Sequence, residues 1–139
     1  TRLLTTSLLM GLVSQFAQAE GLSIKVYNAD ANSFHVNSTL VYGDTEAVIF
    51  DTGFTKADAL RIAANVHDSG KKLTKIFISQ ADPDYYFGAE VLHSLFPKAQ
   101  LITTPAVKKM IEKIAGNSEI ASISTATSGL EKKKYFFQQ

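Results

Sequence analysis

The residues with chemistry to offer fall on two short stretches. Gln80-Ala81-Asp82-Pro83-Asp84-Tyr85 places two carboxylates, an amide and a phenol on one segment. Asp51-Thr52-Gly53 places a further carboxylate directly after the apolar run Val48-Ile49-Phe50. All of these groups are oxygen donors. Such donors suit hard cations, whereas zinc prefers imidazole and thiolate with carboxylate as a supplement. The Asp51 stretch admits three readings. One is the water-activating strand of an aspartic protease, which needs two carboxylates sharing a proton and hence a second copy or a dimer. The sequence has a single Asp-Thr-Gly, followed by Phe54 and a helix start, so this stays a remote alternative. Another is a supporting carboxylate that holds metal ligands in place. The plainest is an Asx-type turn at a strand end, with glycine adopting an unusual φ.

Both stretches need elements to position them, and the hydrophobic pattern supplies those. Leu22, Ile24 and Val26 alternate with polar neighbours, which predicts a half-buried strand over Gly21 to Tyr27. Asn28 to Asn32 reads as a loop, and a second strand follows from about Phe34 to Tyr42. Gly43-Asp44-Thr45 turns the chain into Glu46 to Phe50 as a hairpin partner. Thr55-Lys56-Ala57-Asp58 is a capping-box pattern, and Ala59, Ile62, Ala63 and Val66 continue it at helical spacing towards Gly70. Ile76-Phe77-Ile78 is a short buried strand ahead of the Gln80 stretch. A helix then runs to Pro97, with Gly88, Val91, Leu92 and Leu95 on its inner face. Leu101-Ile102-Thr103 is another strand. Thr104 caps a last helix with Pro105 in its first turn and Val107, Met110, Ile111 and Ile114 along one side. An antiparallel hairpin followed by β-α-β-α units is an α/β layout with parallel strands and right-handed crossovers.

In this setting the two stretches resemble the metallo-β-lactamase superfamily. That family carries His-x-His/Asp-x-Asp-His on a loop after a short strand, followed by Phe-Gly and a helix. The frame from Ser79 through Asp84 to Phe87-Gly88, the Asp51-Thr52-Gly53 strand end and the hairpin from Asn37 to Asp44 match it in spacing. The resemblance runs from about Ser38 to Ile114. It implies the N-terminal half of an αββα fold, with zinc as cofactor and metal-bound hydroxide hydrolysing an ester, lactone or lactam of a small-molecule substrate. By the same resemblance Gln80, Asp82, Asp84 and Tyr85 stand at the metal-ligand positions, Asp84 is the residue on which catalysis would depend, and Asp51 is a supporting carboxylate. The departures are Gln80 and Tyr85, where the family has histidines. They predict weak or absent zinc binding and an inactive or impaired hydrolase. None of His35, His67 and His93 falls at a motif position.

The remaining composition narrows the field. The 139 residues suffice for one domain, and there is no cysteine, which removes disulfides and thiolate metal sites. A formal net charge of +1 gives no basis for a nucleic-acid partner. Residues 1–19 carry a short apolar run, Leu8 to Val13, and an Ala17-Gln18-Ala19 cleavage pattern, and read as a secretory signal peptide. A periplasmic or secreted location is the expectation, with no membrane association after cleavage. Residues 20–116 then form the metallo-β-lactamase-like half domain. Residues 117–139 form an irregular tail ending in Lys132-Lys133-Lys134 and Tyr135-Phe136-Phe137. A half-sandwich leaves one apolar sheet face uncovered, which predicts homo-oligomers through that face. The alternatives to a hydrolase are thus a non-catalytic binding or self-associating module, or a truncated fragment.

Overall fold

The computed structural model describes residues 21–115 and 124–125. The signal-peptide expectation lies outside them. So does the tail, apart from the two-residue strand Ser124–Thr125.

A single sheet carries six strands side by side in chain order. β1 (Ser23–Asn28), β2 (Asn37–Tyr42) and β3 (Glu46–Phe50) form an antiparallel meander. β4 (Lys72–Ile78), β5 (Gln100–Thr103) and β6 (Ser124–Thr125) continue it in parallel. The change of sense falls where the connections lengthen. Gly43 to Thr45 turn β2 into β3, and a loop containing a 3-10 turn joins β1 to β2, while the long helix α1 (Lys56–Ser69) carries the chain from β3 to β4. The predicted α/β order therefore stands.

α1 starts as its sequence predicts. Thr55 accepts a hydrogen bond from the Asp58 backbone N–H, and the Asp58 carboxylate accepts from the Thr55 N–H, a complete capping box. Gly70 closes the helix in the left-handed region. Ala59, Ile62, Ala63 and Val66 are all buried, packing on Leu40, Ile49 and Ile76 of the sheet. Ile49, Ile62, Ile76, Ile78, Leu92 and Ile111 lose essentially all solvent contact. At about 1.5–3 kcal/mol per large apolar side chain, this layer is the main source of stability.

β4 contains a bulge. Ala47 pairs with Leu73 but Val48 pairs with Lys75, which leaves Thr74 unmatched. Thr74 Oγ1 donates to the Ala47 carbonyl at 3.3 Å. The extra residue breaks the two-residue alternation, so Leu73 and Ile76 both point into the core.

Three expectations need correction. β2 begins at Asn37, not Phe34, because Ala31–Ser33 form a 3-10 turn and Phe34 and His35 both take φ of 56°. Asp30 caps that turn by accepting from the Asn32 N–H. The helix after the Gln80 stretch is two pieces, α2 (Pro83–Tyr86) and α3 (Ala89–Leu95). It breaks because the Gly88 N–H donates to the Gly53 carbonyl, outside the helix. Ala89 and Leu92 form the buried side of α3, while Leu95 is exposed. In α4 (Pro105–Ala115), Ile111 is buried, whereas Met110 and Ile114 are exposed among the described residues.

The helices cover one side of the sheet. Lys25 and Tyr27 of β1 reach α1, at Asp68 and Asp58 respectively. Ile24 and Val26 point the other way and are exposed. Their register partners extend the same face across the sheet: Ile24 beside Val41 and Val48, Val26 beside Thr39, Phe50, Phe77 and Ile102.

Candidate functional site

The carboxyl ends of β3 and β4 lie side by side, so Asp51 and Ser79 meet. In a parallel α/β sheet this is the end where ligands are held. Asp51 is buried and takes φ of 64°, a left-handed conformation uncommon outside glycine. That turn aims its carboxylate at the start of the motif loop. Oδ1 accepts from the Ser79 N–H and Oδ2 from the Ser79 hydroxyl, each at 2.7 Å. Burial raises the Asp51 pKa above the ordinary carboxylate value, and the two bonds from Ser79 offset part of that rise. The Ser38 hydroxyl donates to the Asp51 carbonyl at 2.8 Å and holds the peptide from β2.

A second set of bonds ties the loop down further along. The Thr52 N–H and hydroxyl both donate to the Tyr85 carbonyl, at 2.8 and 3.0 Å. Gly53 lies at φ of 77°, where an added Cβ would stand 2.8 Å from that of Asp58. Gly88 packs more tightly still: a Cβ there would lie 2.0 Å from the Thr52 carbonyl oxygen. The Asp-Thr-Gly turn and the motif loop therefore form one clamped unit.

Within that unit the four motif side chains differ in setting. Gln80 and Asp82 are exposed, and Asp82 occupies the N-cap of α2 without a capping bond from its side chain. Asp84 and Tyr85, in α2, are half-buried. None of the described histidines joins them. His35 is exposed on its turn, His67 stacks near Phe96 with ring centroids 5.1 Å apart, and His93 lies half-buried on α3.

Two features beside the loop escaped the sequence reading. Asp58 completes the capping box of α1 but also gathers hydroxyls from separate elements: Tyr27 at 2.7 Å, Ser33 at 2.5 Å and Thr55 at 2.6 Å. Burial acts to raise its pKa, but the bonds from Ser33, Thr55 and Tyr27 prevail and hold it well below the carboxylate range. Burial raises the Tyr27 phenol, and the same carboxylate adds to that rise. The other feature is a run of phenylalanines. Phe34 meets Phe54 edge-on at 5.3 Å, and Phe54 stacks on Phe87 at 5.5 Å, joining the 3-10 turn to the motif loop. The capping box was the one legible signal for Asp58. Nothing in the spacing of Phe34, Phe54 and Phe87 announces their contact.

The donor chemistry does not fit the zinc that the resemblance implies. Gln80 offers a neutral amide and Tyr85 a phenol, and no imidazole or thiolate replaces them. No group of three or more His, Cys, Asp or Glu side chains among the described residues is placed to hold a metal ion. What the arrangement does provide is a loop, tied to the Asp-Thr-Gly turn, that presents two carboxylates at a strand end.

Comparison with known proteins gives a consistent placement. The sequence matches the metallo-beta-lactamase superfamily over residues 31–133. Among curated proteins nothing matches. Among solved structures, the metallo-β-lactamase from Hirschia baltica aligns with a TM-score of 0.55 at 17% identity, covering 68% of this chain and 44% of its own. The VMB-1 structure gives 0.55 at 13% identity, with 75% and 47% covered. The DIM-1 metallo-β-lactamase gives 0.56 at 14% identity, with 78% and 54% covered. The chain thus spans about half the length of these structures, and at such identities the likeness is one of fold. A match over most of the sequence, on an α/β framework shared with solved relatives, makes this chain a member of the metallo-β-lactamase superfamily.

Proposed function

We propose that this chain is a metallo-β-lactamase-fold relative in which hydrolysis of an ester, lactone or lactam has been lost or impaired. The supporting observation is the donor set on the clamped loop, where Gln80 and Tyr85 stand in place of imidazoles. Metal-dependent hydrolysis needs a closed ligand set with one open position. Asp84 and Asp82 alone do not make one, and Asp51 is already committed to Ser79. After dialysis against trace zinc, the purified chain is expected to hold far less than one zinc. It is also expected to show no turnover of a chromogenic lactam or lactone that a chelator removes. Turnover abolished both by chelator and by Asp84→Ala would overturn this reading.

A second reading, as a self-associating module, is favoured by the outer sheet face. Ile24 is 67% exposed and Phe50 40%, in a register-aligned apolar patch that spans the sheet. Patches of this kind mark interfaces. Sedimentation equilibrium is expected to show concentration-dependent dimers that Phe50→Glu weakens. A monomer at micromolar concentration with no dye-accessible apolar surface rules this out.

A further inference from the structure

The amino end of β4, away from the motif loop, holds a cavity of about 440 Å³ that the proposed function does not use. We infer that it is a second binding site, for a small carboxylate with an apolar body. The site lies where the C-terminal ends of α1 and α3 meet the starts of β4 and β5. Its volume falls in the range of small-molecule sites, about 300–1,000 Å³.

Three observations define the ligand. The floor is apolar: Val66, Leu73 and Ala99 are buried, and the Phe96 ring lies beside them with His67 packed against it. The rim is cationic, carrying Lys71, Lys72 and Lys98 with no carboxylate among the lining residues. Lys71 Nζ donates to the Asp44 carbonyl at 2.7 Å, while Lys72 and Lys98 make no ion pair among the described residues. Glu46 sits opposite Lys72 in the β3–β4 register but is not paired with it, and Asp68 is paired with Lys25 instead. Finally, the helix-end carbonyls here are already in use. His67 O accepts from the Gly70 N–H, Val66 O from the Ser69 hydroxyl, Leu92 O from the Phe96 N–H and Phe96 O from the Ala99 N–H.

The cavity therefore offers hydrogen-bond donors and positive charge over an apolar base. The two helix C-termini bring partial negative charge, about half a unit each at most, which the lysines outweigh. A carboxylate at the rim takes charge-assisted bonds from Lys72 and Lys98, and a flat or branched apolar body covers Leu73 and Phe96. The inference is independent of what the motif loop does.

The test uses the full chain with 2-naphthoate as probe and 2-naphthamide as its neutral counterpart, followed by calorimetry and backbone amide NMR. Saturable naphthoate binding is expected, with shifts at Val66, Leu73 and Phe96. Binding should weaken about tenfold for the amide and about tenfold in Lys72→Gln/Lys98→Gln, whose side chains are exposed and leave the core untouched. The inference is overturned by absence of saturable binding or by equal affinity for the amide. Undiminished binding to the lysine variant overturns it too, as do shifts confined to the outer sheet face or to residues 79–88. Zinc content or chelator-sensitive turnover at the motif loop, which would overturn the proposed function, leaves these readouts unchanged, so the two proposals fail separately.

Discussion

Gly88→Ala is expected to destabilise the protein by about 3 kcal/mol or more, at the upper end of overpacking effects. The new Cβ would sit 2.0 Å from the Thr52 carbonyl oxygen and 3.1 Å from the Ala59 Cβ. The first neighbour is backbone, fixed by the bonds that Thr52 makes to Tyr85 and that Gly88 makes to Gly53. It cannot rotate away as a side chain would. Gly88 itself has φ of −74°, so alanine meets no objection from its own backbone, and the whole cost is steric. Either the motif loop lifts off the Asp-Thr-Gly turn or the protein unfolds. Urea denaturation separates the outcomes from a silent substitution, and hydrogen exchange at the Thr52 and Gly88 amides reports whether the clamp has opened. A midpoint equal to that of the parent would show that the two loops are not pressed together as described.

Asp58→Ala is expected to cost about 3 kcal/mol, from loss of the carboxylate half of the capping box and of several hydrogen bonds to a carboxylate. The substitution leaves the Ser33 hydroxyl buried without its acceptor and releases Tyr27 and Thr55 together. Arg61 Nη1 at 3.8 Å adds little, being largely exposed. The pH dependence has a definite sign. The folded pKa of Asp58 is depressed, so its contribution is fully present above the unfolded aspartate value, about 3.9. It is lost as pH falls through that value towards the folded one. The gap in stability between the parent and Asp58→Asn should therefore narrow in acid. Asp51 acts in the opposite sense. Its folded pKa is raised, so the folded state binds that proton first and gains stability as pH falls through the window between the unfolded and folded values. Urea titrations at pH 7 and in acid check both signs, and a gap for Asp58→Asn that stays constant would remove the network from consideration.

Where sequence pattern and backbone bonding share one cause, the fold was legible. The capping box at Thr55 and Asp58 and the helical spacing of Ala59, Ile62, Ala63 and Val66 are local signals, and both appear in α1. The break between α2 and α3 was not legible, because the groups that cause it, Gly53 and Thr52, lie more than thirty residues away in sequence. Phe34 reads as a strand residue by type, yet the Asp30 cap and the ring of Phe54 hold it in a left-handed turn. At the site, the order of Asp51, Gln80, Asp82, Asp84 and Tyr85 revealed the family frame. The aim of Asp51 at Ser79 depends on a φ of 64° that residue type does not announce. The cavity at the other end of β4 drew no notice, since Lys71, Lys72 and Lys98 look like ordinary surface lysines until the two helix ends bring them together.

Thr74 has a consequence for how this chain tolerates changes in length. Removing one residue from a strand ordinarily turns everything beyond it inside out, because neighbouring side chains face opposite ways. Here Thr74 is the residue without a partner, and the alternation resumes on either side of it, with Leu73 inward, Lys75 outward and Ile76 inward. A chain shortened by that one position keeps every inward residue inward and merely straightens the strand. β4 is thus a point at which a gap in the sequence is compatible with an unchanged core.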